Sequence, residues 1–223
     1  MLQKAELIVF DLDDTLAPWH EYARSGFMAV DAWLQAQEGV VGFMVKVWAL
    51  FEAGVRGNTM DRAFDALGLP EDEKRNQQAL SIYRSHEPSL ELFPDVASVL
   101  TQLKKDYKLG VITDGLWSIQ ERKASVLGLG KWMGKVICTD KLTPPSPKPD
   151  AKAFKLMMAH ANVPGEACIY VGDNPSKDFF APKALGWKTI RIRRNGMEYT
   201  DSEALSSEYE ADEEIQSLEA LIH

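Results

Sequence analysis

The sequence predicts a doubly wound α/β fold, a parallel sheet with helices on both faces, carrying one inserted helical domain. Three observations predict it. Short, continuous apolar runs recur along the chain and end at acidic or hydroxyl side chains. Helical patterns separate the later runs, and residues 17–91 show helical periodicity without any strand-like alternation. Continuous apolar runs are how strands buried on both faces look, and strands alternating with helices build parallel sheets from βαβ units.

The first run, Leu7-Ile8-Val9-Phe10, stops at Asp11. The insert follows, with apolar residues at helical spacing in four segments: Phe27, Val30 and Leu34; Phe43, Val47, Trp48 and Phe51; Phe64 and Leu67; Leu80 and Tyr83. Gly39, the stretch Gly54 to Asn58, and Gly68-Leu69-Pro70 supply the turns between them. The rhythm then changes to alternating helix and strand. Val96 to Leu103 reads as a helix, and Lys108 to Ile112 as a strand ending at Thr113. Ile119 to Leu127 is a helix stopped by Gly128, and Val136-Ile137-Cys138 a weaker strand. A helix around Phe154 to Met158 precedes the run Ala167 to Val171, which ends at Gly172-Asp173; a helix closed by Gly186 then leads to Lys188–Ile192. The expected division is a core from residues 1–16 and 92–223 and a helical domain from 17–91. Ligands of such a sheet gather at the carboxyl ends of its strands.

Composition excludes several classes. Hydrophobic residues at 45% and charged residues at 26% are ordinary globular usage and argue against disorder or a fibrous repeat. The formal charge is −8, but residues 195–223 hold nine acids and no Lys or Arg, so removing those nine charges leaves about +1 for the rest. Acidity is therefore a local property, expected to form a solvated face, and no basic surface for nucleic acid is implied. Ile215, Leu218 and Leu221 suggest that the last turn docks on the body. The two cysteines, Cys138 and Cys168, sit in apolar runs without metal or redox spacing and read as buried thiols of a reducing, cytoplasmic compartment. Neither a leader peptide nor a membrane span is expected.

Four segments carry candidate chemistry. Asp11 and Asp13 lie two residues apart after the first strand; a calcium loop starting at Asp11 would need glycine and glutamate where Leu16 and Tyr22 stand. Thr113-Asp114-Gly115 offers a hydroxyl and backbone N–H groups before a helix, a natural phosphate cradle. Lys148 is bracketed by Pro147 and Pro149, in a stretch from Leu142 to Asp150 that holds four prolines. Gly172-Asp173 leads through a tight turn to Asp178. Taken singly, each has a structural explanation: a turn, a cap or an exposed loop lysine. Together, all four fall at strand ends or strand-to-helix loops in one order.

In that order they resemble the haloacid dehalogenase superfamily, whose four motifs match Asp11-Leu12-Asp13-Asp14-Thr15, then Thr113, then Lys148, then Gly172-Asp173 to Asp178. The resemblance spans essentially the whole chain. It implies a Rossmann-like core with a helical cap over residues 17–91, and a Mg²⁺-dependent hydrolase of small phosphate esters such as sugar phosphates or nucleoside monophosphates. By the same resemblance, Asp11 is the nucleophile that forms an aspartyl phosphate, and Asp13 exchanges the proton. Thr113, Asp114, Gly115 and Lys148 hold the phosphoryl group. Asp11 and Asp173 bind the metal through carboxylates, Asp13 through its main-chain carbonyl, and Asp178 supports that shell. Trp19 and His20 are candidates for substrate contact. Dehalogenase relatives lack an acid at the place of Asp13, and mutase relatives carry glycine and valine at the places of Asp14 and Thr15, so the phosphatase branch is indicated. Asp114 departs from the asparagine of many relatives. A phosphoryl transferase and a phosphoacceptor signalling domain are the rival readings; receivers of the second kind are much shorter and lack the insert.

Overall fold

A computed structural model describes Leu2 and residues 4–222. The chain divides into two compact units: one contains the residues up to Trp19 together with those from Leu90 onward, the other is His20–Ser89. The dividing points differ slightly from those expected, for a packing reason. Ala17 and Leu90 are buried in the same apolar cluster as the first strand, and they go with it.

The larger unit is built on six parallel strands: β1 (Leu7–Phe10), β2 (Lys108–Thr113), β3 (Lys135–Cys138), β4 (Cys168–Gly172), β5 (Lys188–Ile192) and β6 (Glu213–Ile215), in the spatial order β3-β2-β1-β4-β5-β6. The order reverses direction at β1, which pairs with β2 on one side and β4 on the other. A crevice at such a switch point is where open α/β sheets bind ligands.

Alternation along each strand divides the core in two. Ile8, Phe10, Leu109, Val111, Ile169 and Val171 face one layer. Leu7, Val9, Ile112, Cys168 and Tyr170 face the other, against Phe154 and Met157. The central strands β1, β2 and β4 are thus apolar on both sides, which is why their sequences read as unbroken runs.

Helices α1 (Trp19–Glu38), α2 (Phe43–Glu52), α3 (Thr59–Ala66) and α4 (Glu73–Ser85) correspond to the four periodic segments of the insert. From His20 on they make up the smaller unit, which closes on its own aromatic contacts, including Phe27 with Phe51 at 5.8 Å and Phe43 with Phe64 at 5.2 Å between ring centroids. Asp72 caps α4 by accepting from the N–H groups of Lys74 and Arg75. In the larger unit, α5 (Val96–Leu103), α6 (Trp117–Val126), α7 (Lys152–Ala161) and α8 (Phe180–Ala184) are the connecting helices. Gly128 and Gly186 follow α6 and α8 with left-handed φ of 62° and 80°.

The acidic tail is not simply a solvated face. Glu213–Ile215 adds a sixth strand beside β5, and the acids around it meet partners on that neighbour. Glu213 pairs with Lys188 at 2.5 Å, Glu214 with Arg193 at 2.9 Å, and Asp212 accepts from the N–H and hydroxyl of Thr189, both at 2.8 Å. Ile215, Leu218 and Leu221 are buried in the core. Asp95 ties this end down by accepting from the N–H of Leu218 at 2.7 Å and the hydroxyl of Ser217 at 2.9 Å, beside Arg194 at 3.0 Å. Both cysteines are free thiols, but only Cys168 is buried. Cys138 lies on edge strand β3, where its Sγ reaches the Gly115 carbonyl at 3.2 Å. No helix among the described residues is long and apolar enough to cross a membrane.

Candidate active site

Asp11 is the residue after β1, and its N–H still donates to the Val171 carbonyl of β4 at 2.8 Å, which fixes it at the switch point. Beyond it the chain turns sharply. The N–H groups of Leu16 and Ala17 both return to the Leu12 carbonyl, and Asp14 takes a left-handed conformation with φ of 56°. Aspartate tolerates that region better than bulkier residues. Its carboxylate accepts from the N–H of Trp19 at 2.8 Å, closing the turn onto the start of α1.

Around Asp11 the strand ends assemble a buried ionic group. Lys148 Nζ donates to Asp11 Oδ1 at 2.8 Å, to Asp178 Oδ1 at 2.7 Å and to the Tyr170 hydroxyl at 2.9 Å. Its side chain is wholly buried. Asp11, Asp173 and Asp178 each offer a carboxylate oxygen, and these oxygens lie within 4.8 Å of one another. Gly172 makes room for this. A Cβ there would lie 2.5 Å from Asp178 Oδ2, so only glycine lets that carboxylate fold under the strand end. The second oxygen of Asp178 accepts from the Asn174 N–H at 2.9 Å, closing the turn.

The charges are in tension. Burial pushes the Asp11 carboxyl up to about 6; Lys148 pulls it down and Asp178 opposes that pull. Asp173 is raised well above the usual carboxylate range, by burial first and then by Asp178 and Asp11. Lys148 stays protonated: burial works against its charge, but Asp11 and Asp178 outweigh it. Three buried carboxylates facing one lysine are an excess of negative charge. A divalent cation that prefers oxygen ligands fits that donor set and would relieve the excess.

The other expected residues are placed as follows. Thr113 ends β2, and its Oγ1 accepts from Gln120 Nε2 at 2.5 Å. Asp114 is engaged on three sides, by the Thr139 hydroxyl at 2.7 Å, the Lys148 N–H at 3.1 Å and Lys177 Nζ at 3.1 Å. Burial raises its carboxyl, but Lys148 and Lys177 outweigh this and hold it below the ordinary range. An acid rather than an amide at this position therefore gains a partner in Lys177, and it braces the loop that delivers Lys148. Gly115 has φ of 106°, which glycine alone adopts without strain. Helix α6 begins at Trp117, whose N–H is taken by Asp140 at 3.0 Å. Asp13 lies apart from the three-carboxylate group: its carboxylate is held by Lys123 and Gln120. Trp19 and His20 open α1, with His20 Nε2 3.3 Å from Glu21 and more than a third exposed.

Four residues of this region escaped the sequence reading: Gln120, Lys123, Tyr170 and Lys177. Tyr170 carried a signal, being the one hydroxyl inside a fully buried apolar strand. Gln120 and Lys123 carried none, because α6 is polar on most of its surface and nothing marks which polar residues turn inward.

A doubly wound parallel sheet with an aspartate at its switch point, a buried lysine beside it and a carboxylate cluster defines an α/β protein whose candidate site lies at the carboxyl ends of its strands. Residues 8–192 match the Haloacid dehalogenase-like hydrolase family, and the chain belongs to it. The glyceraldehyde 3-phosphate phosphatase of Methanopyrus kandleri is 29% identical over 93% of this chain and 91% of its own. Pyrophosphatase PpaX of Bacillus velezensis is 26% identical over 99% of this chain and 96% of its own. The solved HAD-hydrolase YfnB from Bacillus subtilis, bound to magnesium, shares the fold with a TM-score of 0.67 over 99% of this chain and 98% of that one, at 17% identity. Within its family the chain is a phosphatase, as its relatives are.

Proposed function

We propose that this phosphatase hydrolyses phosphomonoesters of small metabolites through an aspartyl phosphate on Asp11, with Mg²⁺ as cofactor. The observation that carries the reading is the position of Lys148, bonded to Asp11 and Asp178 inside a group of three buried carboxylates at the strand ends. Asp11 Oδ attacks phosphorus, and the bond from phosphorus to the leaving oxygen breaks as that oxygen takes a proton from Asp13. Water then attacks phosphorus, gives its proton to Asp13, and breaks the bond to Asp11, so inorganic phosphate leaves and both aspartates are restored. Splitting one displacement into two lowers each barrier, and positioned proton transfer contributes about 10²–10⁴ in rate. Lys148 and the hydroxyl and N–H groups of Thr113 to Gly115 stabilise charge on the transferring group. Asp11 and Asp173 would hold Mg²⁺ through carboxylates and Asp13 through its carbonyl, with Asp178 behind them. When bound, the ion neutralises the carboxylate cluster and polarises the phosphoryl oxygens.

The helical unit His20–Ser89 is read as the part that sets specificity, with Trp19 and His20 as substrate contacts. A sugar phosphate is favoured over a nucleoside monophosphate because a relative acts on glyceraldehyde 3-phosphate. Free thiols fit a reducing, cytoplasmic setting. A panel of phosphomonoesters assayed with Mg²⁺ and with chelator should show phosphate release from triose and other small sugar phosphates only when the metal is present. Release undiminished by chelator would remove the metal from the reaction.

The ionic tension makes a second expectation. Asp11 has a folded-state pKa raised to about 6, so its contribution to stability is intact below the unfolded value near 3.8 and is lost as pH rises through about 6. Asp173 is shifted in the same direction. An ion that binds the deprotonated pair restores stability above that range and competes with protons below it. The rise in thermal midpoint produced by Mg²⁺ should therefore be larger at pH 7.5 than at pH 5. Equal rises at both pH values would contradict it.

A further inference from the structure

Two buried polar side chains converge on Asp13, and the chemistry proposed above makes no use of them. Lys123 Nζ donates to both carboxylate oxygens of Asp13, at 2.7 and 2.9 Å. Gln120 Nε2 donates to Asp13 Oδ2 at 3.0 Å and to Thr113 Oγ1 at 2.5 Å. Gln120 and Lys123 lie three residues apart on α6 and so share one face of the helix. Each is only 2% exposed, whereas the Asp13 side chain is 27% exposed. The pair thus reaches out from the interior to a carboxylate that still meets solvent.

Stability alone does not account for this arrangement. Burying an ammonium group is costly, and buried ion pairs often contribute no more than well-packed apolar side chains of similar volume. Leucine or methionine on that face of α6 would pack without the cost. The geometry instead does something an apolar residue cannot. Asp13 sits on the turn after β1, where its side chain would be free to rotate. Two contacts from Lys123 fix where the carboxylate lies, and the amide of Gln120 fixes its rotation about the Cβ–Cγ bond. The same amide bonds to Thr113, so one side chain links a group that would meet the phosphoryl oxygens to the group that would exchange the proton.

We propose that Gln120 and Lys123 are positioning residues: together they clamp the Asp13 carboxylate in register with Thr113 for proton exchange with the leaving group. The inference rests on the reading of Asp13 as the acid–base residue. Misplacing a reacting group by about an ångström costs on the order of 10²-fold in rate, so loss of the clamp should be visible in kinetics.

The test uses kcat/KM with Mg²⁺ for phosphomonoesters whose leaving groups range from p-nitrophenol to simple alkyl alcohols. An acidic phenol leaves without a proton, and an alkoxide does not. Lys123→Met should lower kcat/KM for alkyl esters by about 10- to 100-fold and for p-nitrophenyl phosphate by no more than about 3-fold, steepening the dependence on leaving-group acidity. A merely structural role would lower all substrates alike. In an Asp13→Asn background, adding Lys123→Met should cause no further loss, because Lys123 acts through Asp13. Equal losses for all esters, or an additional loss in that background, overturn the clamp. An unchanged slope in Asp13→Asn itself removes the acid–base role and the clamp with it. A steeper slope there with an unchanged slope in Lys123→Met removes the clamp alone. If Lys123→Met fails to fold, Gln120→Leu is read by slope alone, because its bond to Thr113 affects all esters alike: a steeper dependence on leaving-group acidity supports the clamp and an unchanged one overturns it.

Discussion

Asp11→Asn is expected to reduce phosphate release by at least about 10⁴-fold while making the metal-free fold more stable at pH 7.5. The two effects have one origin. Asp11 is the proposed nucleophile, and an amide oxygen in its place cannot form the phosphoenzyme. Yet its ionised carboxylate is unfavourable in the resting fold, since burial pushes its pKa up to about 6 in spite of Lys148. A shift of that size is linked to a cost at neutral pH of up to about 3 kcal/mol, most of which a neutral isostere avoids. The asparagine oxygen still accepts from Lys148, which keeps Asp178 and Tyr170 as partners. Thermal midpoints without metal should therefore rise by several degrees for Asp11→Asn, and the further rise produced by Mg²⁺ should shrink. Retained turnover would exclude the covalent mechanism. A lower metal-free midpoint would show that Asp11 supports the fold instead of straining it.

The groups that build this site differ in how far they could be read from the sequence. Asp11 and Asp173 were legible because each follows a strand buried on both faces, and such a strand is an unbroken apolar run with a visible end. Their convergence was legible only through topology. β1 lies between β2 and β4, so residues separated by more than half the chain meet at one crevice. The insert gave up its four helices because glycine-rich turns interrupt a clear helical period. Glu213–Ile215 stayed hidden: three residues are too few to show a period, and two are acids that read as solvent-facing until Lys188 and Arg193 appear opposite them. Gln120 and Lys123 stayed hidden for a related reason. Polar residues on a largely polar helix look exposed, and what draws them inward is Asp13, a partner more than a hundred positions away in the chain. Cys138 erred in the opposite direction, since an apolar run on the edge strand β3 is covered less completely than one in the middle of the sheet.

Lys148→Met should show how much of this fold depends on its ionic centre. The lysine side chain is wholly buried, and it is the cation that binds Asp11 and Asp178 together. Methionine nearly fills the same volume, so the change removes charge and hydrogen bonds with little change in packing. Taking one partner from a buried ion pair costs about 3–5 kcal/mol, because the remaining charges are left without compensation. For a chain of this size that lowers the thermal midpoint by roughly 6–20 °C at pH 7.5 without metal. The sign of the pH dependence follows from the carboxyls. Asp11 and Asp173 already have raised pKa values, and removing the cation that pulls both down raises them further. The penalty is then absent where they are protonated and grows as pH rises through their folded values, so the deficit against the parent should be smaller at pH 5 than at pH 7.5. Mg²⁺ should restore part of the lost stability by supplying positive charge to the same carboxylates, but it should not restore turnover, for which the proposed mechanism also uses the ammonium beside the transferring phosphoryl group. A variant as stable as the parent at pH 7.5, or one that Mg²⁺ returns to full activity, would mean that Lys148 is neither the counter-charge of the cluster nor part of the phosphoryl site.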